Sequence, residues 1–138
     1  MSALLDTSVI VRYLTGDPPD SAQASAEIID GEEELLVTDV VIAETAYVLT
    51  SVYRAPRETV VDHLIGFLSK ANIDTFRLDK GVVLEALLLA RPSSRVSFGD
   101  ALVWAAARSQ PGLPVYSFDR RFPGAGITVR GSAGADAT

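Results

Sequence analysis

Four carboxylates lie in stretches of sequence that contain no other charge. Asp6, Glu44, Asp100 and Asp119 are the single charged residues of four such stretches: 1–11, 40–53, 96–107 and 109–119. Burying an ionised carboxylate without a partner costs several kcal/mol, so each of these acids needs a structural or chemical reason.

The predicted elements bring the four acids to one end of a sheet. Asp6 and Asp119 close two predicted strands, Glu44 lies about one turn into the helix after a third strand, and Asp100 lies in the first turn of its own helix. Open α/β sheets bind ligands at the carboxyl ends of their strands. We therefore expect the four carboxylates to lie in one pocket there.

Convergent negative charges favour a bound cation, since no Lys or Arg adjoins three of the four acids. A hard divalent ion with oxygen ligands fits this set, and carboxylates with water suit Mg²⁺ or Mn²⁺. The same segments add hydroxyl groups beside the acids, on Thr7, Ser8 and Ser117.

Each acid also has a purely structural interpretation. Asp6 can cap a helix, and Ser97 and Asp100 have the spacing of a capping box. Asp119 can form a turn with the arginines that follow it, and Glu44 can extend to the surface. One shared site nevertheless explains all four acids more economically than four coincidences.

Length and composition indicate a single folded domain. The chain has 138 residues, of which 48% are hydrophobic and 22% charged, so disorder is excluded as the dominant state. The absence of Cys excludes disulfides and thiolate metal sites, and one His excludes multi-histidine zinc sites. The net charge of −6 argues against a general nucleic-acid coat. With no signal peptide and no membrane-length apolar run, we expect a soluble cytoplasmic protein.

Short apolar runs alternate with longer periodic ones, which is typical of βαβ units. The pattern predicts strands over 3–6, 35–38, 73–78, 115–118 and 127–129. It predicts helices over 9–14, 21–29, 39–53, 57–71, 79–91 and 97–108, with Asp39 as the N-cap of the third. We expect an α/β fold with a mainly parallel sheet of four to five strands flanked by helices in three layers. The domain is predicted to cover 1–130, with a flexible tail over 131–138.

Four short motifs, in this order and spacing, resemble the PIN-domain ribonucleases. They are residues 4–9 (LLDTSV), 41–44 (VIAE), 98–102 (FGDAL) and 116–122 (YSFDRRF). The resemblance extends over roughly residues 2–130 and is closest to the VapC-type toxins of toxin–antitoxin pairs. The family's four acids correspond to Asp6, Glu44, Asp100 and Asp119. Ser117 stands where the family often has Thr.

The resemblance implies an Mg²⁺- or Mn²⁺-dependent endoribonuclease that is usually dimeric and is held inactive by a small antitoxin. Asp6, Glu44 and Asp100 would be the main metal ligands, with Asp119 a ligand or outer-shell acid. Three arginines near the acids are candidate contacts to RNA phosphates, namely Arg12, Arg120 and Arg121.

Two other classes of function remain open. A phosphoryl-transfer protein of dehalogenase or receiver type would use Asp6 as phosphoacceptor. Ser8 stands where the dehalogenase type has a second Asp, and the two lysines, Lys70 and Lys80, do not match the receiver's partner Lys. The other class is a non-catalytic PIN-fold interaction module, against which the presence of all four acids argues.

Overall fold

Two parallel strand–helix–strand crossovers build the amino-terminal part of the chain. The structure, a computed structural model, describes residues 2–131 and 136–137. The strands β1, β2 and β3 pair in parallel and in chain order, with Ala3 opposite Leu35 and Leu35 opposite Ile73. The elements are β1 (Ser2–Leu4), α1 (Thr7–Thr15), α2 (Pro19–Ile29), β2 (Glu34–Val37), α3 (Asp39–Ser51), α4 (Arg57–Leu68) and β3 (Ile73–Thr75).

The chain divides into two compact units, Met1–Arg77 and Leu78–Thr138. The second unit pairs two helices and carries a small sheet in which β4 and β5 are parallel and β5 and β6 are antiparallel. Its elements are α5 (Lys80–Ala90), α6 (Phe98–Ser109), β4 (Val115–Tyr116), β5 (Val129–Arg130) and β6 (Asp136–Ala137).

The α/β class and the parallel sheet are confirmed, but the strands are divided differently from the prediction. In the described part of the chain they form two sheets of three strands, where one sheet of four to five was expected. The domain limit at residue 130 stays a prediction. Most of the predicted tail, residues 132–135 and 138, lies outside the described residues.

Side-chain caps fix where the functional helices begin. Asp6 caps α1 by accepting a hydrogen bond from the Ser8 backbone N–H. Helix α3 is capped by Thr38, whose hydroxyl accepts from the Val41 N–H, so the prediction of Asp39 was one residue off. The backbone of Thr38 is extended, as an N-cap requires, whereas Asp39 already belongs to the helix.

Each unit has an apolar core of its own. In the first, both inward side chains of the central strand β2, Leu35 and Val37, are 1% exposed. In the second, alanines at the contact between α5 and α6 are fully buried, among them Ala86, Ala101 and Ala105. Small side chains let two helix backbones approach closely, so this pair needs few large residues. None of the described helices has the length and apolar character to cross a bilayer.

Candidate functional site

Asp6 and Glu44 line one cavity of about 420 Å³ in the first unit. Because β1 and β2 are parallel neighbours, the helices that follow them, α1 and α3, begin at the same edge of the sheet. The Asp6–Glu44 cavity, as we name it, lies between these helices. Its lining residues are Asp6, Thr7, Ser8, Val11, Arg12, Asp17, Pro18, Glu44, Val48, Val52 and Tyr53.

The Asp6 carboxylate is held ionised mainly by uncharged donors. Its Oδ2 accepts from the Ser8 hydroxyl at 2.7 Å and from the Ser8 backbone N–H at 3.2 Å. These two bonds are the main reason that the pKa of Asp6 lies below its ordinary value, and the charge of Arg12 adds the smallest contribution. The group therefore keeps its negative charge without an ion pair.

Two buried threonine hydroxyls have no hydrogen-bond partner among the described residues. Thr7 Oγ1 lies in the lining of the cavity and Thr45 Oγ1 follows the exposed Glu44 on α3. Elsewhere in the chain a helical threonine bonds to the carbonyl four residues before it, as Thr50 does to Ala46 at 2.8 Å. A buried hydroxyl without a partner costs free energy, so Thr7, which lines the cavity, suits a group that meets a ligand. Thr45 is fully buried and does not line the cavity.

The oxygen atoms at the cavity fit a hard divalent ion. Asp6, Glu44 and Thr7 line the same cavity, and the buried hydroxyl of Thr7 has no partner among the described residues. Across residues 2–131 and 136–137, no group of three or more His, Cys, Asp or Glu side chains could hold a metal. Mg²⁺ commonly uses one or two carboxylates and completes its shell with waters and substrate phosphates. The two carboxylates that line the cavity match the number that such an ion commonly uses.

Arg12 places a positive charge in the same cavity. Its Nη1 donates to the Ser8 carbonyl at 3.3 Å, one turn back along α1. Its Nε is buried and has no partner among the described atoms. The outer donors of this guanidinium, rather than the enclosed Nε, are the groups that can bind an anion such as a phosphate.

The opposite wall of the cavity is apolar and ends in an aromatic ring. Val48 lies one helical turn after Glu44, and Val52 one turn later, so all three share a face of α3. Tyr53 closes this wall, and its hydroxyl donates to Asp17 Oδ2 at 3.3 Å. Sequence analysis did not identify these residues, although the four-residue spacing from Glu44 was a usable signal for Val48 and Val52.

Asp100 and Asp119 belong to the second unit. The Asp100 backbone N–H donates to Ser97 Oγ at 3.0 Å, so the predicted cap of α6 is present. Asp119 Oδ1 accepts from the Arg121 backbone N–H at 2.8 Å and from its Nε at 3.4 Å. The backbone bond is the first cause of the lowered pKa of Asp119, and the guanidinium adds to it. Ser117 Oγ accepts from the Asp119 N–H at 3.1 Å.

The predicted site residues therefore fall into groups. One group lines the Asp6–Glu44 cavity, and a second surrounds the Asp119 turn, where Arg120 is exposed. Asp100 lies in the first turn of α6. The convergence of all four carboxylates on one site stays a prediction. The first group comprises Asp6, Thr7, Ser8, Arg12 and Glu44, and the second Ser117, Asp119, Arg120 and Arg121.

A family model described as PIN domain matches residues 3–127. The match extends from β1 to the segment before β5 and includes every predicted site residue. No curated protein matches the chain.

Proposed function

Since the chain belongs to the PIN domain family, we propose that it is a metal-dependent endoribonuclease that hydrolyses RNA phosphodiester bonds. Members of the family are generally metal-dependent nucleases that act on RNA or DNA. The observation that carries the proposal is the joint presence of Asp6, Glu44 and the partly unpaired Arg12 in one cavity.

The carboxylates have the role of holding the metal. Asp6 and Glu44 would bind Mg²⁺ or Mn²⁺, with Asp100 and Asp119 as further acids directly or through water. A bound ion of this kind lowers the pKa of a water molecule and stabilises charge on the scissile phosphate. Ser8 keeps Asp6 ionised and oriented through its two hydrogen bonds. The hydroxyls of Thr7 and Ser117 orient ligands or a phosphate oxygen.

Arginines bind the phosphates of the RNA. Arg12 lines the cavity, while Arg120 and Arg121 are exposed beside Asp119. A guanidinium remains charged at any physiological pH and offers several donors to one phosphate. These local positive charges supply the attraction that the chain's net charge of −6 does not.

We further propose that the protein is the toxin of a type II toxin–antitoxin pair and acts in the cytoplasm. Support comes from apolar side chains exposed on α3 and α2: Val40 is 70%, Tyr47 63% and Ile28 45% exposed. Such faces suit an amphipathic segment of a short antitoxin that folds on binding. Leu88 on α5, 55% exposed, is consistent with a homodimer, which light scattering at tens of micromolar tests.

The nuclease proposal is tested with purified protein and a labelled, unstructured RNA. We expect cleavage with Mg²⁺ or Mn²⁺, none after EDTA treatment, and recovery when the ion is added back. A folded, metal-supplemented protein that leaves RNA intact and becomes labelled by an acyl-phosphate donor would instead support the phosphoryl-transfer class.

Expression in a host tests the toxin role separately. We expect growth arrest from this chain alone and relief when a short neighbouring protein is co-expressed. If the protein cleaves RNA in vitro but its expression is harmless, the toxin role fails while the nuclease role stands.

A further inference from the structure

We propose that the apolar wall of the Asp6–Glu44 cavity binds one unpaired nucleobase next to the scissile phosphate, and that Tyr53 is the residue on which this base stacks. This inference rests on the proposed nuclease function and specifies its substrate as single-stranded RNA. Tyr53 acts here as a specificity-determining residue.

The size of the cavity leaves room beyond a metal ion. An ion with six waters needs roughly 180 Å³, at about 30 Å³ for each water in the liquid. The cavity has about 420 Å³. Its volume is also within the roughly 300–1,000 Å³ range of sites that bind small organic ligands.

The cavity combines the chemistry of a nucleotide's parts. Its charged residues, Asp6, Glu44 and Arg12, suit a cation and a phosphate. The remaining wall, formed largely by Val48, Val52 and Tyr53, suits a flat aromatic group with little charge. A base attached to a bound phosphate reaches such a wall only when it is unpaired and unstacked, as in single-stranded RNA.

Tyr53 is held in place before any ligand binds. Helix α3 ends at Ser51, and Arg54 adopts the left-handed conformation, with φ of 55°, which turns the chain. The Tyr53 N–H donates to the Val48 carbonyl at 3.2 Å. Its hydroxyl donates to Asp17, in the loop between α1 and α2, at 3.3 Å. A ring fixed at both ends loses little freedom when a base stacks on it.

Stacking on one aromatic ring contributes about 10- to 100-fold in affinity and tolerates any base, because every base has a π-face. The wall has few groups that could read base edges. We therefore expect the contact to favour unpaired over paired RNA without selecting a sequence.

The experiment compares variants on a short single-stranded RNA whose cleavage position has been mapped, and on copies with one abasic nucleotide at each flanking position. Tyr53→Ala should raise KM about 10- to 100-fold with little change in kcat. Tyr53→Phe keeps the ring but loses the bond to Asp17, so its KM should lie closer to that of wild type than to that of Tyr53→Ala. Tyr53→Leu keeps apolar volume without the π-face and should resemble Tyr53→Ala, which guards against a folding defect in the smaller variant. Leu113→Ala removes an exposed apolar side chain that does not line the cavity, and should leave KM and kcat unchanged.

The abasic copies give the decisive result. At one flanking position, removal of the base should raise the KM of the wild-type protein to that of Tyr53→Ala. The same removal should leave the KM of Tyr53→Ala unchanged. The inference is wrong if Tyr53→Ala cleaves RNA like wild type. It is also wrong if the KM of Tyr53→Ala exceeds that of wild type by the same factor on intact RNA and on every abasic copy. If the variant cleaves normally but escapes inhibition by the neighbouring protein, the wall is a protein-docking surface and the inference is also wrong.

Binding measured by fluorescence anisotropy with Mn²⁺ separates this inference from the proposed function. If RNA binds in a way that depends on Tyr53 and on the base, but is not cleaved, the nuclease proposal is overturned and the inference stands. Wild-type binding without base dependence would overturn the inference even if cleavage occurs. Absence of both binding and cleavage would overturn both.

Discussion

Asp6 and Asp119 are both aspartates whose pKa lies below the ordinary value, but the two regions achieve this in different ways. Asp6 at the start of α1 is stabilised first by the hydroxyl and N–H of Ser8, and only last by the charge of Arg12. Asp119, after β4, bonds to the backbone and guanidinium of Arg121. One carboxylate is solvated by neutral dipoles, whereas the other has a partner of opposite charge.

Because of this difference, we expect the carboxylates of Asp6 and Asp119 to differ in how strongly they bind a cation. Neutral donors keep Asp6 ionised and leave its full negative charge available to a metal. At Asp119 the nearby guanidinium offsets part of that charge, although the ion pair is exposed and therefore weak. On the proposed function, we therefore expect Asp6 to bind the metal directly and Asp119 to act as an outer-shell acid that orients water or an arginine.

The largest expected effect comes from Asp6→Asn. The amide can still cap α1 but lacks the charge that binds the ion, so cleavage should fall by more than about 100-fold, beyond the loss typical of outer-shell changes. Initial rates at saturating Mg²⁺ measure this, with thermal melts to show that folding is retained. Asp20→Asn, in the first turn of α2 and outside the cavity, is the matched control. If Asp6→Asn and Asp20→Asn cleave RNA equally well, Asp6 does not belong to the metal site.

Asp100→Asn should likewise abolish cleavage while leaving the fold intact or slightly more stable, because it removes a charge that repels other acids. Ser97→Ala tests the structural alternative, since it removes the cap of α6 and should cost about 1 kcal/mol of unfolding free energy. Rates are normalised to folded protein from urea titrations. Full cleavage by a folded Asp100→Asn protein would favour a capping role alone.

Ser8→Ala should have an intermediate effect, because it removes the first cause of the lowered pKa of Asp6. We expect the affinity for the metal to be about 10- to 100-fold weaker. The pKa of Asp6 should lie closer to its ordinary value, which NMR of the Asp6 carboxyl carbon measures. The hydrogen bond from Ser8 to the ionised Asp6 stabilises the fold at pH values above the pKa that Asp6 has in the unfolded chain. This contribution is lost as the pH falls through the lower pKa that Asp6 has in the folded protein. The stability difference between variant and wild type should therefore vanish in acid. An unchanged Asp6 pKa would contradict the contrast with Asp119.

Arg121→Gln should have the smallest effect. The Arg121 backbone N–H, first among the causes at Asp119, survives the substitution, so the pKa of Asp119 should stay below its ordinary value. The free energy of unfolding should change little, because the ion pair is exposed to solvent. Cleavage assays at two salt concentrations then isolate the contact of this arginine with RNA phosphates. A loss as large as that of Asp6→Asn would show that the two acids are not distinct in role.

The sequence predicted element types well because apolar periodicity and caps are local signals. Helix α3 was expected over 39–53 and runs over Asp39–Ser51. The strand expected over 3–6 is β1 over Ser2–Leu4, so Asp6 lies beyond the carboxyl end of the strand that it was predicted to close. The division of strands into two sheets was not foreseen, since pairing depends on contacts far apart in sequence. Tyr53 was missed for a related reason: it reaches the cavity only because Arg54 turns the chain and Asp17 accepts its hydroxyl.

The strand order β1-β2-β3 follows the order of synthesis. Once residue 77 is added, translation has produced all three strands of this sheet. It has also produced both acids of the Asp6–Glu44 cavity. Domains generally fold as units during translation, the amino-terminal one first. On the proposed function, a nascent chain of that length carries two of the four carboxylates. On the same proposal, the translating ribosome therefore meets the Asp6–Glu44 cavity before Asp100 and Asp119 have been made.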